Sequence, residues 1–190
     1  MSRPQPPSRA KLVIGFFLKE KEIGGGVIRA LVEKFGLIDM ASPWFPFDFT
    51  TYYHDETGIP LFRRLFGFKQ LIQQHDLAQI KLTTNSLEQQ YASGGKRPVN
   101  IDPGYLLSER FVLATGKNYS HRIYIGKGIY ADLTLIYAHG RFEPLPWTYP
   151  DYASKNIIDF LEKVRKKYGV DVKQAAIPNI SKKMRYPKKW

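Results

Sequence analysis

Residues 11–18, KLVIGFFL, carry an almost unbroken apolar run, the pattern of a central strand covered on both faces. The stretch KEKEIGGG that follows reads as a loop, and its Gly24, Gly25 and Gly26 as a flexible connector. VIRALVEKFG then has Val27, Leu31, Val32 and Phe35 at helical spacing, with Gly36 placed to end the helix. Residues 38–53 crowd aromatics around Pro43 and Pro46. Proline denies a sheet its donor, so the first half reads as an irregular or edge segment and residues 47–53 as the strand. A turn at DETGIP leads to a further strand, FRRLFGFKQLI, which brings Tyr52, Tyr53, His54, Arg63 and Arg64 to one loop end.

Residues 77–82 fit two templates. Ala78, Ile80 and Leu82 alternate with Gln79 and Lys81 as in a strand, after which Asn85 caps a helix over residues 86–92 with Glu88 as its capping-box partner. Leu77, Ile80, Leu87 and Tyr91 equally match one helix over residues 76–91.

The clearest strand pattern lies in residues 100–135. Asp102-Pro103-Gly104 has tight-turn chemistry. Strands over residues 110–115, 121–125 and 129–137 follow, the last two joined by the three-residue loop GKG. A symmetrical loop pairs Ile125 with Ile129, Tyr124 with Tyr130, Ile123 with Ala131 and Arg122 with Asp132. It sends Ile123, Ile125, Ile129, Ala131, Leu133 and Leu135 to the core and Arg122, Tyr124, Tyr130, Asp132 and Thr134 to the other face. Near the end, WTYPD is a rigid turn with Pro150 close to a helix start. Ile157, Phe160, Leu161 and Val164 make the buried stripe of that helix, and Gly169 its stop.

The expected architecture is α+β: a mainly antiparallel sheet of about five to seven strands with three helices largely on one face, an elaborated ferredoxin-like arrangement being one form of it. Residues 1–10 are expected to be a disordered N-terminal segment, residues 11–171 one domain, and residues 172–190 a basic C-terminal arm. The chain has 190 residues, enough for a substantial core. It has no cysteine, which excludes disulfides, thiolate metal sites and a cysteine nucleophile and fits a cytoplasmic protein. No signal peptide and no apolar run of about 20 residues appear, so no membrane association is expected.

The formal charge is +12, which invites a nucleic-acid reading. Residues 155–190 hold 11 Lys and Arg against 3 Asp and Glu, so +8 of that excess sits on the last helix and the tail. A solvated helix face and a flexible end account for it as readily.

Candidate chemistry gathers around the central hairpins. Lys81, Asn85, Arg97, Asn100, Lys117, Asn118, Arg122, Tyr124 and Tyr130 are the candidate ligand-binding residues. Cations suit phosphate or carboxylate, amides suit hydroxyls, and tyrosines offer a stacking face. His121, Asp132 and Asp102 are the candidate acid and base groups. The blander reading is equally concrete, since a cross-strand Arg/Asp pair and a Tyr/Tyr pair stabilise any sheet by about 0.2–1 kcal/mol each. The four histidines show no metal-ligand spacing, and no G-x-S-x-G occurs. Whether the protein is an enzyme is left open by these templates, and no cofactor is indicated.

KLTTNSLE, RPVNIDPGYL, VLATGKNYSHRIYIGKGIYADLTL and WTYPDY give the chain a resemblance to DUF4416, a bacterial family of unknown function, over residues 10–170. Members are often labelled GTP-binding. Here G-x-x-x-x-G-K-[ST] and N-K-x-D are both missing, and residues 55–58 match D-x-x-G only over four positions. The resemblance implies no catalytic residue. Two functions of different class remain: a small-molecule site for an anionic or nucleotide-like ligand, and an RNA- or DNA-binding module using the hairpin tyrosines and basic arm. A protein-interaction domain is the third.

Overall fold

The computed structural model describes residues 2–49, 59–94 and 96–176. The chain begins β1 (Ala10–Leu18), α1 (Lys21–Phe35), β2 (Ile38–Ala41), β3 (Phe45–Pro46), β4 (Phe62–Ile72). A 3-10 turn at Gln74–Asp76 leads into α2 (Leu77–Tyr91) and β5 (Val99–Leu106). These strands lie in the order β2-β4-β1-β5, every neighbouring pair antiparallel. β1 and β2 therefore run parallel with β4 between them, and β4 and β5 run parallel with β1 between them. Two interlocked split βαβ units of this kind make a ferredoxin-like core.

The elaboration is a meander, β6 (Arg110–Thr115), β7 (Arg122–Gly126), β8 (Ile129–Ala138) and β9 (Arg141–Pro144), followed by α3 (Lys155–Ala176). It extends the sheet as β5-β6-β8-β7, with β9 also on β8 and β3 on β4. Nine strands thus share one sheet, two more than the upper expectation, the excess being short edge pieces.

Every residue of β1 is buried because the sheet is covered on both faces. Leu12, Ile14, Phe16 and Leu18 pack on Val27 and Leu31 of α1 and on Ile80 and Leu87 of α2. Val13 belongs to the opposite layer, with Ile157, Phe160, Leu161 and Val164 of α3. Burying each such side chain contributes about 1.5–3 kcal/mol relative to leaving it exposed. The third helix is therefore not on the face of the other two. Lys11, fully buried on its side, is held by Asp39 at 2.6 Å and by Asp171 of α3 at 2.7 Å. Burial works to raise the Asp171 pKa, but hydrogen bonds from Lys11 and Lys167 outweigh it and hold the carboxyl below its ordinary value.

Several local expectations are corrected. Gly24, Gly25 and Gly26 lie inside α1, not in a loop. Two of them permit close packing: a Cβ on Gly24 would sit 3.3 Å from the Trp44 ring, and one on Gly26 would sit 3.2 Å from the Tyr91 hydroxyl. Residues 77–91 form the single helix, because Leu77, Ile80, Thr84 and Leu87 make its buried stripe, and a capping box at Gln73 and Asp76 closes the 3-10 turn that leads into it. Asn85 is mid-helix, not a cap. Of the strand expected over residues 47–53, residues 47–49 are not strand, the short Phe45–Pro46 preceding them, and residues 50–53 lie outside the described residues. α3 passes Gly169, which stays helical, and runs to Ala176; the remainder of the expected arm is outside the described residues. Residues 2–9 have no regular structure, yet the Ser8 and Arg9 carbonyls accept hydrogen bonds from Gln74 and Tyr168.

Asp102-Pro103-Gly104 is the interior of β5, not a turn. A Cβ at Gly104 would lie 2.5 Å from the Val112 carbonyl oxygen, so only glycine lets β6 approach here. In the hairpin, Arg122, Ile123 and Tyr124 face Asp132, Ala131 and Tyr130 as expected, but a bulge pairs Ile129 with Gly126 in place of Ile125. Ile125, Ile129, Ala131, Leu133 and Leu135 pack on the core as expected, but Ile123 does not reach it. Ile123 is 72% exposed, while Asp132 and Thr134 are buried. Trp147 and Thr148 explain this: the indole N–H donates to the Leu133 carbonyl and the threonine hydroxyl to the Thr134 carbonyl, roofing the polar face. Strand β7 ends the strand order on that side, and Ile123 is left uncovered among the described residues.

Candidate functional site

Core and meander part company at β5. Only Gly104, Tyr105 and Leu106 pair with β6, and residues 99–103 of β5 pair with β1 alone. Strand alternation points the backbone groups of Ile101, Pro103 and Tyr105 toward β6. Pro103 has no N–H to offer there, so the ladder stops without leaving an orphan donor. Ile101 does have one, and α2 supplies its partners. The Ile101 N–H donates to Glu88 Oε1 at 2.6 Å, and Lys81 Nζ donates to the Ile101 carbonyl at 2.8 Å. Two helix side chains thus take the place of a missing strand.

The wedge between β5 and the end of β6 opens into a cleft of about 700 Å³. Its floor is a chain of alternating charges. Arg97 meets Glu88 at 2.5 Å, Lys81 lies 4.0 Å from Glu88 and 3.9 Å from Asp102, and Arg63 meets Asp102 at 2.6 Å. Arg63 also pairs with Asp151. The guanidinium is 97% buried and stands 4.7 Å from the Tyr152 ring centroid and 5.0 Å from that of Phe47. Gly15 makes room here, for its Cβ would be 3.1 Å from the Tyr152 hydroxyl. Among the described residues, three cations and three carboxylates meet on this floor. Burial pushes the Glu88 carboxyl above its ordinary range, against the opposing pull of Lys81, the Ile101 N–H and Arg97. Asn100, 94% buried, lines this floor, and its Nδ2 has no hydrogen-bond partner among the described residues.

The mouth is built by the loop after β6 and by β7. Arg122 donates from Nε to Asp132 at 2.9 Å, from Nη1 to the Lys117 carbonyl at 3.0 Å and from Nη2 to the Tyr149 hydroxyl at 2.6 Å. These bonds use three of the five guanidinium N–H groups, and the side chain is 4% exposed, with the Tyr119 ring 4.7 Å away. His121 is layered between Trp147, 5.1 Å away, and Tyr119, 6.1 Å away, with Nε2 3.4 Å from Asp132. Aromatic walls complete the cleft. Phe17 and Phe47 stack at 4.5 Å, and Phe49, Tyr119 and Tyr149 are exposed beside them.

Of the sequence-predicted residues, Lys81, Asn85, Arg97, Asn100, Asp102, Lys117, His121 and Arg122 line this one cleft. Asp132 stands behind Arg122 and His121, buried. Asn118 is exposed on the loop, and Tyr124 and Tyr130 pack on each other at 5.4 Å outside the cleft. Sequence reasoning missed Arg63, Asp151, Tyr152 and the Phe17/Phe47 pair as lining residues. Arg63 had a signal: it alternates with Leu65 and Gly67 on the inward side of an apolar strand, where an unpaired cation would be costly. Tyr52, Tyr53 and His54 lie outside the described residues.

No curated protein and no solved structure matches the chain. The family comparison does match, over residues 8–168, which takes in β1 through most of α3 and so the whole lining of the cleft. The chain belongs to that family, described as a domain of unknown function, DUF4416.

Proposed function

We propose that the cleft between β5 and β6 is a binding site for a small anionic, nucleotide-like ligand. The observation that carries this reading is the joint lining. One concavity of about 700 Å³ holds Lys81, Arg97, Lys117 and Arg122 together with flat aromatic walls and two amides, Asn85 and Asn100. Volumes of this order suit a small ligand, and apolar walls with a few convergent polar groups are the usual make-up of such sites. The buried Asn100 amide adds weight, because an unpartnered donor costs about 1–3 kcal/mol that an incoming acceptor would offset. A nucleic-acid surface has less in its favour: Tyr124 and Tyr130 stand outside the cleft that gathers the cations.

The test is a thermal-shift and calorimetric screen of nucleosides, nucleotides with and without magnesium, and sugar phosphates. A ligand at a hundred times its Kd stabilises the fold by about 2.7 kcal/mol, a rise of roughly 5–10 °C for a chain of this size. Gly116→Trp provides the control. Gly116 lines the cleft, and a Cβ there meets no atom within 4 Å, so the indole obstructs the site without straining the backbone. Binding that Gly116→Trp abolishes supports the site. No response to any of these compounds, with tight binding of single-stranded oligonucleotides, overturns it.

A further inference from the structure

Two side chains on the cleft floor have hydrogen-bonding atoms that no described residue meets, and they neighbour each other on one strand face. Asn100 and Asp102 are two residues apart in β5. Ile101 between them packs in the layer of α1 and α2, so both point to the opposite face, where they line the cleft. There they stand in register with Phe17 and Gly15 of β1, and Phe17 in turn with Arg63 of β4. Asn100 is buried, and its Nδ2 donates to nothing among the described residues. Asp102 is held by one oxygen. Its Oδ2 accepts from Arg63 Nη2 at 2.6 Å, while Oδ1 accepts no hydrogen bond among the described residues and has the Lys81 ammonium 3.9 Å away. The Asp102 side chain is 25% exposed, against 3% for Glu88 and 6% for Asp151, so of these three carboxylates it is the one a ligand reaches.

Both groups are fixed before a ligand arrives. The pairing of β1 with β5 runs through both positions, and Arg63 reaches across β1 to clamp Asp102. Alternate residues of a strand stand about 6.6 Å apart with their side chains roughly parallel. The adjacent N–H and C=O of a nucleobase edge form parallel hydrogen bonds, which need partners much closer together than that. Hydroxyls on adjacent carbons diverge, and each can both donate and accept. One can give its proton to Asp102 Oδ1 while the other accepts from Asn100 Nδ2.

Resting on the reading above, we infer that the floor of the cleft recognises the vicinal hydroxyls of a sugar, and that Asn100 and Asp102 set this specificity. The ligand class narrows to sugar phosphates and ribonucleotides, at the expense of their deoxy counterparts. A ligand lacking one hydroxyl leaves a buried amide or a carboxylate oxygen unpaired, and a site built to bind a hydroxyl discriminates on that ground.

Calorimetry on the full chain tests this with ribonucleoside 5′-monophosphates, their 2′-deoxy and 3′-deoxy forms, ribose 5-phosphate, 2-deoxyribose 5-phosphate and inorganic phosphate. At least one ribose compound is expected to bind, and its deoxy forms to bind about tenfold or more weakly. Asp102→Asn keeps the size of the side chain and removes the charge that attracts a hydroxyl proton; Asn100→Ala removes the donor. In each variant the ratio of ribose to deoxyribose affinity should fall toward one. The ratio is taken within one variant whose melting has been recorded, so a general loosening of the fold, which weakens both ligands alike, does not move it. The ligand series on the parent chain decides the inference even if neither variant folds.

Ribose and deoxyribose ligands that bind the parent chain within about twofold of each other overturn the hydroxyl inference and leave the anionic site standing. Inorganic phosphate that binds as tightly as any sugar phosphate does the same. A parent chain that discriminates, with both variants keeping the full ratio, overturns the assignment to Asn100 and Asp102. No binding of any of these compounds removes both readings.

Discussion

Replacing Gly24, Gly25 and Gly26 one at a time with alanine separates a helix from a phosphate-type loop at the same three residues. Inside a helix, alanine is favoured over glycine by about 0.8–1.0 kcal/mol. That gain is available in full at Gly25, which is exposed and whose added Cβ meets no atom within 4 Å. At Gly26 the Cβ would lie 3.2 Å from the Tyr91 hydroxyl, the far end of a half-buried side chain that can swing aside, so part of the gain survives. At Gly24 two Trp44 ring atoms stand at 3.3 Å, and the indole is edge-on to Phe16 at 5.7 Å with Arg64 stacked over it. Moving that ring disturbs both contacts, and the propensity gain is cancelled or reversed. The expected order of stability is Gly25→Ala, then Gly26→Ala, then Gly24→Ala. Urea denaturation at neutral pH reads it, with the first variant melting roughly 2–4 °C above the parent chain. Three variants that all lose more than about 1 kcal/mol would show glycine-only backbone conformations and refute the helix.

Further outcomes follow from the sheet and its ion pairs. Gly104→Ala drives a Cβ into the Val112 carbonyl and should cost about 1–3 kcal/mol, a fall of roughly 2–12 °C in Tm; an unchanged Tm would mean that β5 and β6 do not approach as described. Lys11→Met leaves Asp39 and Asp171 facing each other with only Lys167 beside them, and the expected loss in urea unfolding is about 3–5 kcal/mol. A loss below about 1 kcal/mol would show that Lys11 is not buried between carboxylates. The pKa of Glu88 is raised by burial, so the folded state holds its proton more tightly than the unfolded chain. Stability relative to Glu88→Gln should therefore rise as pH falls from Glu88's raised folded pKa toward its ordinary 4.5, and a parallel pair of pH profiles would contradict this. Asp171 has the opposite sign: its contribution is present above its ordinary value of 3.8 and is lost as pH drops through its lowered folded pKa, which Asp171→Asn should abolish.

Much of the fold could be read from the sequence where one periodicity dominated. The register of β7 on β8 was legible because GKG admits few hairpin geometries and a one-residue slip would reverse every side chain. Residues 77–91 were ambiguous because Ala78, Ile80 and Leu82 satisfy a period of 2 while Leu77, Ile80, Thr84 and Leu87 satisfy 3.6. A capping box between Gln73 and Asp76 closes the 3-10 turn that feeds the helix, and its Gln73 end lies upstream of both templates. Asp102-Pro103-Gly104 misled for a different reason. Its residues have turn chemistry in isolation, but Pro103 ends a ladder and Gly104 admits a neighbouring strand, and both roles depend on β6.

The cleft shows the same division between local and long-range information. Lys81, Arg97, Asn100, Lys117 and Arg122 could be nominated from residue type and proximity along the chain, and they share one concavity. The part played by Glu88 could not, because Glu88 and Lys81 acquire their backbone-capping roles only when β5 loses β6 and needs substitutes for the hydrogen bonds of Ile101. Arg63 joins the same network from 39 residues away through Asp102. The vacancy in the sheet thus has two effects. It opens the space a ligand would occupy, and it draws α2 charges into that space to satisfy a backbone that has no strand beside it. Lys81 is consequently committed to the fold before any ligand arrives. Lys81→Met should cost stability in the free protein, because the Ile101 carbonyl loses its donor and Glu88 a neighbouring charge. If that variant unfolded at the same urea concentration as the parent, Lys81 would not be standing in for a strand at the open edge of β5.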